Sequence, residues 1–194
     1  MRLPYVPNPP PVTTPVCFPP TPPPHLTNNS HITKQEDQAI VSRITARRAP
    51  RPLQPLDLTL LHSPPVADGW NSFLGAIRTQ TSIPADLREI AISRVAVVNE
   101  AWYEWAHHAP LAEAGGVSKE GLEVVKRQEE CILGHETPGG LTEKQWAVVC
   151  YTDEMTRNVH VRDGTFERLR GLFGEQEVVE ITATVSVLPC ESDE

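Results

Sequence analysis

The sequence predicts an all-α protein, and three observations carry that reading. Apolar residues recur at helical spacing in one segment after another. Residues that start and stop helices bracket those segments, and no strand–turn–strand pattern marks a hairpin. About seven helices fit into 194 residues, a length that suits one compact domain and a tail better than two domains.

The elements follow in chain order. Of the 20 prolines, 14 lie in the first 55 residues, with runs at Pro9-Pro10-Pro11 and Pro22-Pro23-Pro24. Residues 1–34 are therefore expected to be a disordered, Pro-rich segment, because they cannot bury enough apolar surface to offset the entropy of ordering. The helical domain is expected over 35–194. Its first helix covers 35–48, with Ala39, Ile40 and Ile44 on one side. Pro50, Pro52 and Pro55 then impose an extended stretch, and the short apolar run from Leu56 to Leu61 can dock on the core. Residues 66–79 form a second helix carrying Trp70, Phe73, Leu74 and Ile77.

Ile83-Pro84 opens the most informative helix. Asp86 and Glu89 suit the positive end of its dipole, and Leu87, Ile90, Ala91, Val95 and Val98 form a buried stripe. A helix through residue 114 ends at Gly115-Gly116. Ser118 caps the next, expected to run to about Cys131. Pro138-Gly139-Gly140 makes a loop, and Thr142-Glu143-Lys144-Gln145 is a capping box opening a helix with Trp146, Val149 and Met155. Asp163 is read as the cap of a helix closed by Gly174. The β-branched stretch from Glu175 to Leu188 is read as a last helix, cut short by Pro189.

Composition excludes several functions. A net charge of −8 repels polyanions, and the only basic cluster is Arg43, Arg47, Arg48 and Arg51, read as a solvated face or a subunit contact. Nucleic acid is not an expected partner. Cys17, Cys131, Cys150 and Cys190 are scattered without a CxxC, which points to reduced thiols in the cytosol. The Pro-rich start has no apolar signal region, and no run of eighteen apolar residues provides a membrane span. A cytoplasmic location is expected.

Chemistry concentrates at Glu89, Asn99-Glu100 and the run Trp102-Tyr103-Glu104-Trp105-Ala106-His107-His108. On a helix, Glu104 lies beside both His107 and His108, so a carboxylate and an imidazole can share a proton. Trp102 and Trp105 can wall such a pair off from water. A solvated helix face with two core tryptophans gives the same pattern, so spacing alone leaves both readings open. Metal binding is not expected: Glu104-x-x-His107 is half of a di-iron motif, and no second half exists. On one straight helix, Glu89 and His108 would stand about 28 Å apart. Asn99 can end one helix and cap the next, turning the second back towards Glu89. Pro110 should kink that second helix.

These same residues resemble the carboxymuconolactone decarboxylase family of the alkyl hydroperoxidase D-like superfamily. The resemblance rests on Leu87-Arg88-Glu89-Ile90-Ala91-Ile92, on Tyr103-Glu104-Trp105-Ala106-His107-His108, and on the continuation through Ala109-Pro110-Leu111-Ala112 to Gly115-Gly116-Val117-Ser118. The opening Arg2-Leu3-Pro4-Tyr5-Val6-Pro7 is similar to fungal members. The resemblance implies the alkyl hydroperoxidase D-like helical fold, assembled as a homo-oligomer, a trimer or hexamer. In the peroxidase branch a Glu, a CxxC and a His form the site; their positions fall on Glu89, Ala101, Glu104 and His108. Both cysteines are replaced, and peroxide reduction needs a reactive thiolate and a resolving thiol.

The resemblance therefore implies cofactor-independent acid–base chemistry, of the decarboxylase or a related lyase, isomerase or hydrolase type, on a small organic acid or lactone from aromatic or polyketide (fungal secondary) metabolism. His108 would donate the proton, Glu104 would orient it, and Glu89 would be a second base, with His107 the competing donor. Arg94 or Arg88 would receive the substrate carboxylate, with Trp102 and Trp105 against the substrate. A non-catalytic oligomeric binding protein of the same fold and a thiol peroxidase using Cys131 or Cys150 are the alternatives. In this family the last helix usually runs further, and ending it near Val187 is expected to expose Val185, Val187 and Leu188.

Overall fold

The computed structural model describes residues 35–131 and 137–187, and every element in them is helical. The expected Pro-rich segment and the chain end beyond residue 187 lie outside the described residues. The sequence marks a boundary at 34/35; the structure divides the chain into two compact units, Met1–Arg78 and Thr79–Glu194.

In the first unit, α1 (Gln35–Arg48), α2 (Pro55–Leu60) and α3 (Pro64–Thr79) close around Ile40, Val41, Ile44, Leu53, Leu61 and Ala67. The run predicted only as a docking segment is a short helix, begun by Pro55 and by Asp57, whose Oδ2 accepts from the Gln54 N–H at 2.8 Å. Three arginines of the basic cluster on and after α1 have partners within this unit, while Arg43 and Arg51 stay exposed. Arg43 pairs with Asp68 at 2.8 Å and Arg48 with the buried Asp57 at 2.7 Å, while Arg47 bonds Asn71.

The second unit is built around α4 (Ala85–Val98), which packs against α5 (Trp102–Ala114), α6 (Lys119–Val125), α7 (Glu143–Asn158) and α9 (Glu175–Val187). A stripe was expected; instead every residue from Glu89 to Val97 is buried, and Val98 only partly. Four neighbours leave no face of this helix to water, and Ala91, Ser93 and Ala96 let them approach.

The reversal after α4 has a defined origin. The Glu100 N–H bonds Val97 O at 3.2 Å and the Ala101 N–H bonds Ala96 O at 2.8 Å, with Glu100 left-handed at φ 57°. This is a Schellman stop with glutamate where glycine is usual. Asn99 does end α4, but the cap of α5 is Ala101, which makes no side-chain bond. α5 continues through Pro110 to Ala114 and lies so close to the start of α4 that a Cβ on Gly115 would sit 2.9 Å from the Asp86 nitrogen.

α6 is shorter than predicted. It stops at Val125, because residues 126–131 give their backbone to tertiary partners described below. The capping box of α7 forms: the Gln145 N–H donates to Thr142 Oγ1 at 3.2 Å and Thr142 N–H to Gln145 Oε1 at 2.9 Å. α8 (Asp163–Leu172) begins one residue earlier than expected, with Arg162 as its cap residue. There the buried Glu154 carboxylate accepts from the Arg162 N–H at 2.8 Å and Thr165 Oγ1 at 2.6 Å. Burial alone would raise that carboxyl; these bonds and the Arg162 charge bring it below its usual range. α9 is helical despite its β-branched residues: it packs against α4 and α7 with Ile181, Thr184 and Val185 buried, and the Thr182 and Thr184 hydroxyls bond carbonyls one turn back at 2.7 Å. Val185 and Val187, expected to be exposed, are buried in the core.

Candidate functional site

Glu89 stands in the second turn of α4 and His108 midway along α5, and the reversal at Asn99–Ala101 lays the two helices side by side. The two side chains meet within one chain: His108 Nδ1 lies 2.6 Å from Glu89 Oε2. Both residues are buried, at 5% and 6% exposure, which excludes bulk water as the partner of either. On the other side of the ring, His108 Nε2 lies 3.4 Å from Glu104 Oε2. One imidazole is therefore held between two carboxylates, one deep and one nearer the surface.

The electrostatics follow from that placement. Burial pushes the Glu89 carboxyl up, but the hydrogen bond and charge of His108, with help from Arg88 at 3.3 Å, outweigh it and hold the carboxyl below its ordinary range. An ionised carboxylate only accepts, so Nδ1 of His108 carries the hydrogen in this contact. The Nε2 edge is then the one that can exchange a proton with Glu104 or with a reacting carbon.

Other predicted residues do not join this cluster. His107 is exposed, its Nδ1 2.8 Å from the Tyr103 carbonyl and its ring 4.2 Å from the Tyr103 ring. Trp102 is 46% exposed, so it cannot wall off the pair. Trp105 is half-buried, with Lys126 Nζ 5.9 Å from its ring.

Arg94 is the clearest correction. It is fully buried, its Nε donates to Asp153 Oδ1 at 2.6 Å, and its remaining nitrogens bond the carbonyls of Val125 at 2.9 Å, Glu129 at 2.8 Å and Arg127. With its donors spent on the protein, it has none to offer a substrate carboxylate. Arg88 is the arginine beside Glu89. Asp153 Oδ2 also accepts from the Cys131 N–H at 3.1 Å and from Arg157 at 3.0 Å.

The sequence missed a cleft of about 490 Å³ lined by Val124, Arg127, Glu129, Cys131, Pro138 and Trp146, with Glu130 at its edge. Residues 126–131 were expected to continue a helix. No local pattern announces a loop whose backbone is bonded by Arg94, Asp153 and Arg157 from other helices.

Comparison with known proteins agrees with this architecture. Residues 64–137, which hold both carboxylates and the imidazole, match the carboxymuconolactone decarboxylase family. That stretch of the chain is similar to the family over the residues that form the cluster. No curated protein matches it. Among solved structures, a protein of unknown function from Agrobacterium tumefaciens, described as a putative antioxidant defence protein AhpD, superposes with a TM-score of 0.54 at 19% identity, covering 68% of this chain and 86% of its own. A variant of the debrominase Bmp8 in complex with 2,3,4-tribromopyrrole gives 0.58 at 15% identity, over 84% of this chain and 82% of its own. At such identities these two establish the alkyl hydroperoxidase D-like helical fold. Among the described residues, no helix is long and apolar enough to cross a membrane, and no cluster of three His, Cys, Asp or Glu side chains is arranged to hold a metal ion.

Proposed function

We propose that this protein is a carboxymuconolactone decarboxylase-like, cofactor-independent acid–base enzyme, a decarboxylase or a related lyase, isomerase or hydrolase, acting on a small oxidised acid or lactone of aromatic or polyketide origin. The observation that carries the reading is the His108 ring held between Glu89 at 2.6 Å and Glu104 at 3.4 Å. In the decarboxylase case, the bond to the substrate carboxylate breaks, CO₂ leaves with no electrons, and the electron pair stays on a dienolate-like carbon. His108 gives that carbon the proton on Nε2, Glu89 stabilises the imidazolium through Nδ1, and Glu104 passes a proton from solvent to restore the ring. The deep carboxylate is thus the orienting group and the outer one the relay, the reverse of the roles that the resemblance implied. Of the two arginines expected to receive the substrate carboxylate, Arg88, 18% exposed and beside Glu89, keeps that role.

Thiol chemistry is a poor fit. Cys131 and Cys150 are buried, and burial pushes both thiols up, away from the reactive thiolate. The same proposal has the chain working in the cytoplasm as a homo-oligomer, a trimer or hexamer. Exposed Trp102, Tyr103 and Leu111 on α5 give it an apolar face for self-association.

The test is turnover against a panel of muconolactones and aromatic polyketide acids. His108→Asn and Glu104→Gln should each lower kcat by about 10²- to 10⁴-fold while the protein stays folded. Retained turnover in both variants removes these residues from the mechanism. Binding of a panel member without conversion by the wild type favours a binding protein of the same fold.

A further inference from the structure

The first unit carries an apolar face that its described helices leave open. On α3, Val66 is 55% exposed and Phe73 43%, and Trp70 between them is half-buried. With Gly69 they fall at i, i+3, i+4 and i+7, one stripe along the helix.

Gly69 is the unusual member of that stripe. It stands inside a 16-residue helix, where glycine is less favourable than alanine. Its φ is not positive, and a Cβ built on it would meet no atom within 4 Å. Among the described residues, therefore, neither backbone conformation nor packing calls for glycine here. What glycine does provide is a bare stretch of backbone bordered by Val66, Trp70 and Phe73, which another chain segment can approach closely.

The same unit contains a segment suited to that face. Residues 19–24 read Pro-Pro-Thr-Pro-Pro-Pro, and no Asp, Glu, Lys or Arg occurs from Leu3 to Thr33. A proline run of this kind favours polyproline II, which makes no internal hydrogen bonds and docks on aromatic-lined faces at low entropic cost. The face is as free of charge as the segment: the neighbouring Asp68 is already paired with Arg43 at 2.8 Å. Alone, the segment cannot bury enough surface to become ordered; the stripe on α3 supplies apolar surface for it.

The connection is long enough. Arg43 meets Asp68, so Gln35 lies about 12 Å along α1 from that level and Phe73 about 8 Å along α3 from it, with roughly one helix diameter, about 10 Å, to cross. Residues 25–34 span up to about 31 Å when extended as polyproline II.

We infer that residues 19–24 dock, within their own chain, on the Val66–Gly69–Trp70–Phe73 face of α3. Tethering raises their local concentration to about the millimolar range, so a contact too weak to hold a free peptide persists. This contact goes beyond the acid–base reading and is tested separately from it.

The experiment attaches a nitroxide to Cys17, beside the proline run, in the full chain carrying Cys190→Ser; Cys131 and Cys150 are buried and stay unlabelled. In ¹H–¹⁵N spectra the amide signals of Val66, Trp70 and Phe73 should broaden selectively, and Gly69→Gln should restore their intensity. Glutamine is the better helix former and the space beside Gly69 is open, so this variant keeps its fold. Absence of selective broadening, or broadening unchanged in Gly69→Gln, overturns the docking. Nitroxide-bearing chains mixed with ¹⁵N chains lacking the nitroxide should leave these amides sharp. Broadening in that mixture would place another copy's segment on the face and overturn the intramolecular contact.

Discussion

Two buried polar clusters lie along the same helix, α4, and they are built to opposite rules. Five residues separate Glu89 from Arg94, yet the first remains open to exchange and the second is closed. Arg94 is 0% exposed, and every nitrogen of its guanidinium is committed to Asp153 or to the backbone of residues 125–129. Glu89, by contrast, meets an imidazole whose other edge faces a partly exposed carboxylate at 3.4 Å. A saturated cluster holds shape; an unsaturated one with a path to the surface can move a proton. Burial and charge alone would have ranked both as sites. What separates them is the count of unspent donors and acceptors.

That contrast can be attacked directly. The largest effect should come from Arg94→Met, which takes the donors from Asp153 Oδ1 and from three backbone carbonyls in the interior. Loss of about 3–5 kcal/mol is expected, read from chemical denaturation. A variant that keeps its full stability but loses turnover would put Arg94 back in the chemistry. A smaller effect, dependent on pH, should follow Glu89→Gln. The folded-state pKa of Glu89 is depressed, so its contribution is fully present above the unfolded value near 4.5 and is lost as pH falls through the folded one. The stability advantage of the wild type over the variant should shrink as pH falls below about 4.5; parallel curves would show that the His108 contact does not stabilise the ionised form. The smallest effect belongs to His107→Ala. Its ring is exposed, so stability should change by no more than about 0.5 kcal/mol and turnover not at all. A collapse in turnover here would make His107 the proton donor after all.

Much of this architecture was readable from local chemistry. The capping box at Thr142–Gln145, the start at Pro84 and the stop at Gly115 are short-range signals, and each marks a real helix boundary. Glu89, Glu104 and His108 were also readable as chemical groups, and the need for a reversal near Asn99 followed from helix length alone. Where the reading missed, long-range partners were responsible. α6 ends early because Arg94, on another helix, competes for its neighbouring carbonyls. The arginines of α1 found partners in Asp57, Asp68 and Asn71, nine to twenty-five residues away.

The sequence by itself settled which groups this chain has for chemistry: a histidine, two carboxylates and no CxxC, on helices whose ends are locally encoded. Tertiary structure alone decided their standing. A hydrogen bond depends on distance and on what else competes for the same atoms, and neither is set until helices from distant parts of the chain come together. That is why Arg94 became a brace, why Glu89 rather than Glu104 took the short bond to His108, and why a cleft opened beside Trp146, which spacing had placed only on a helix.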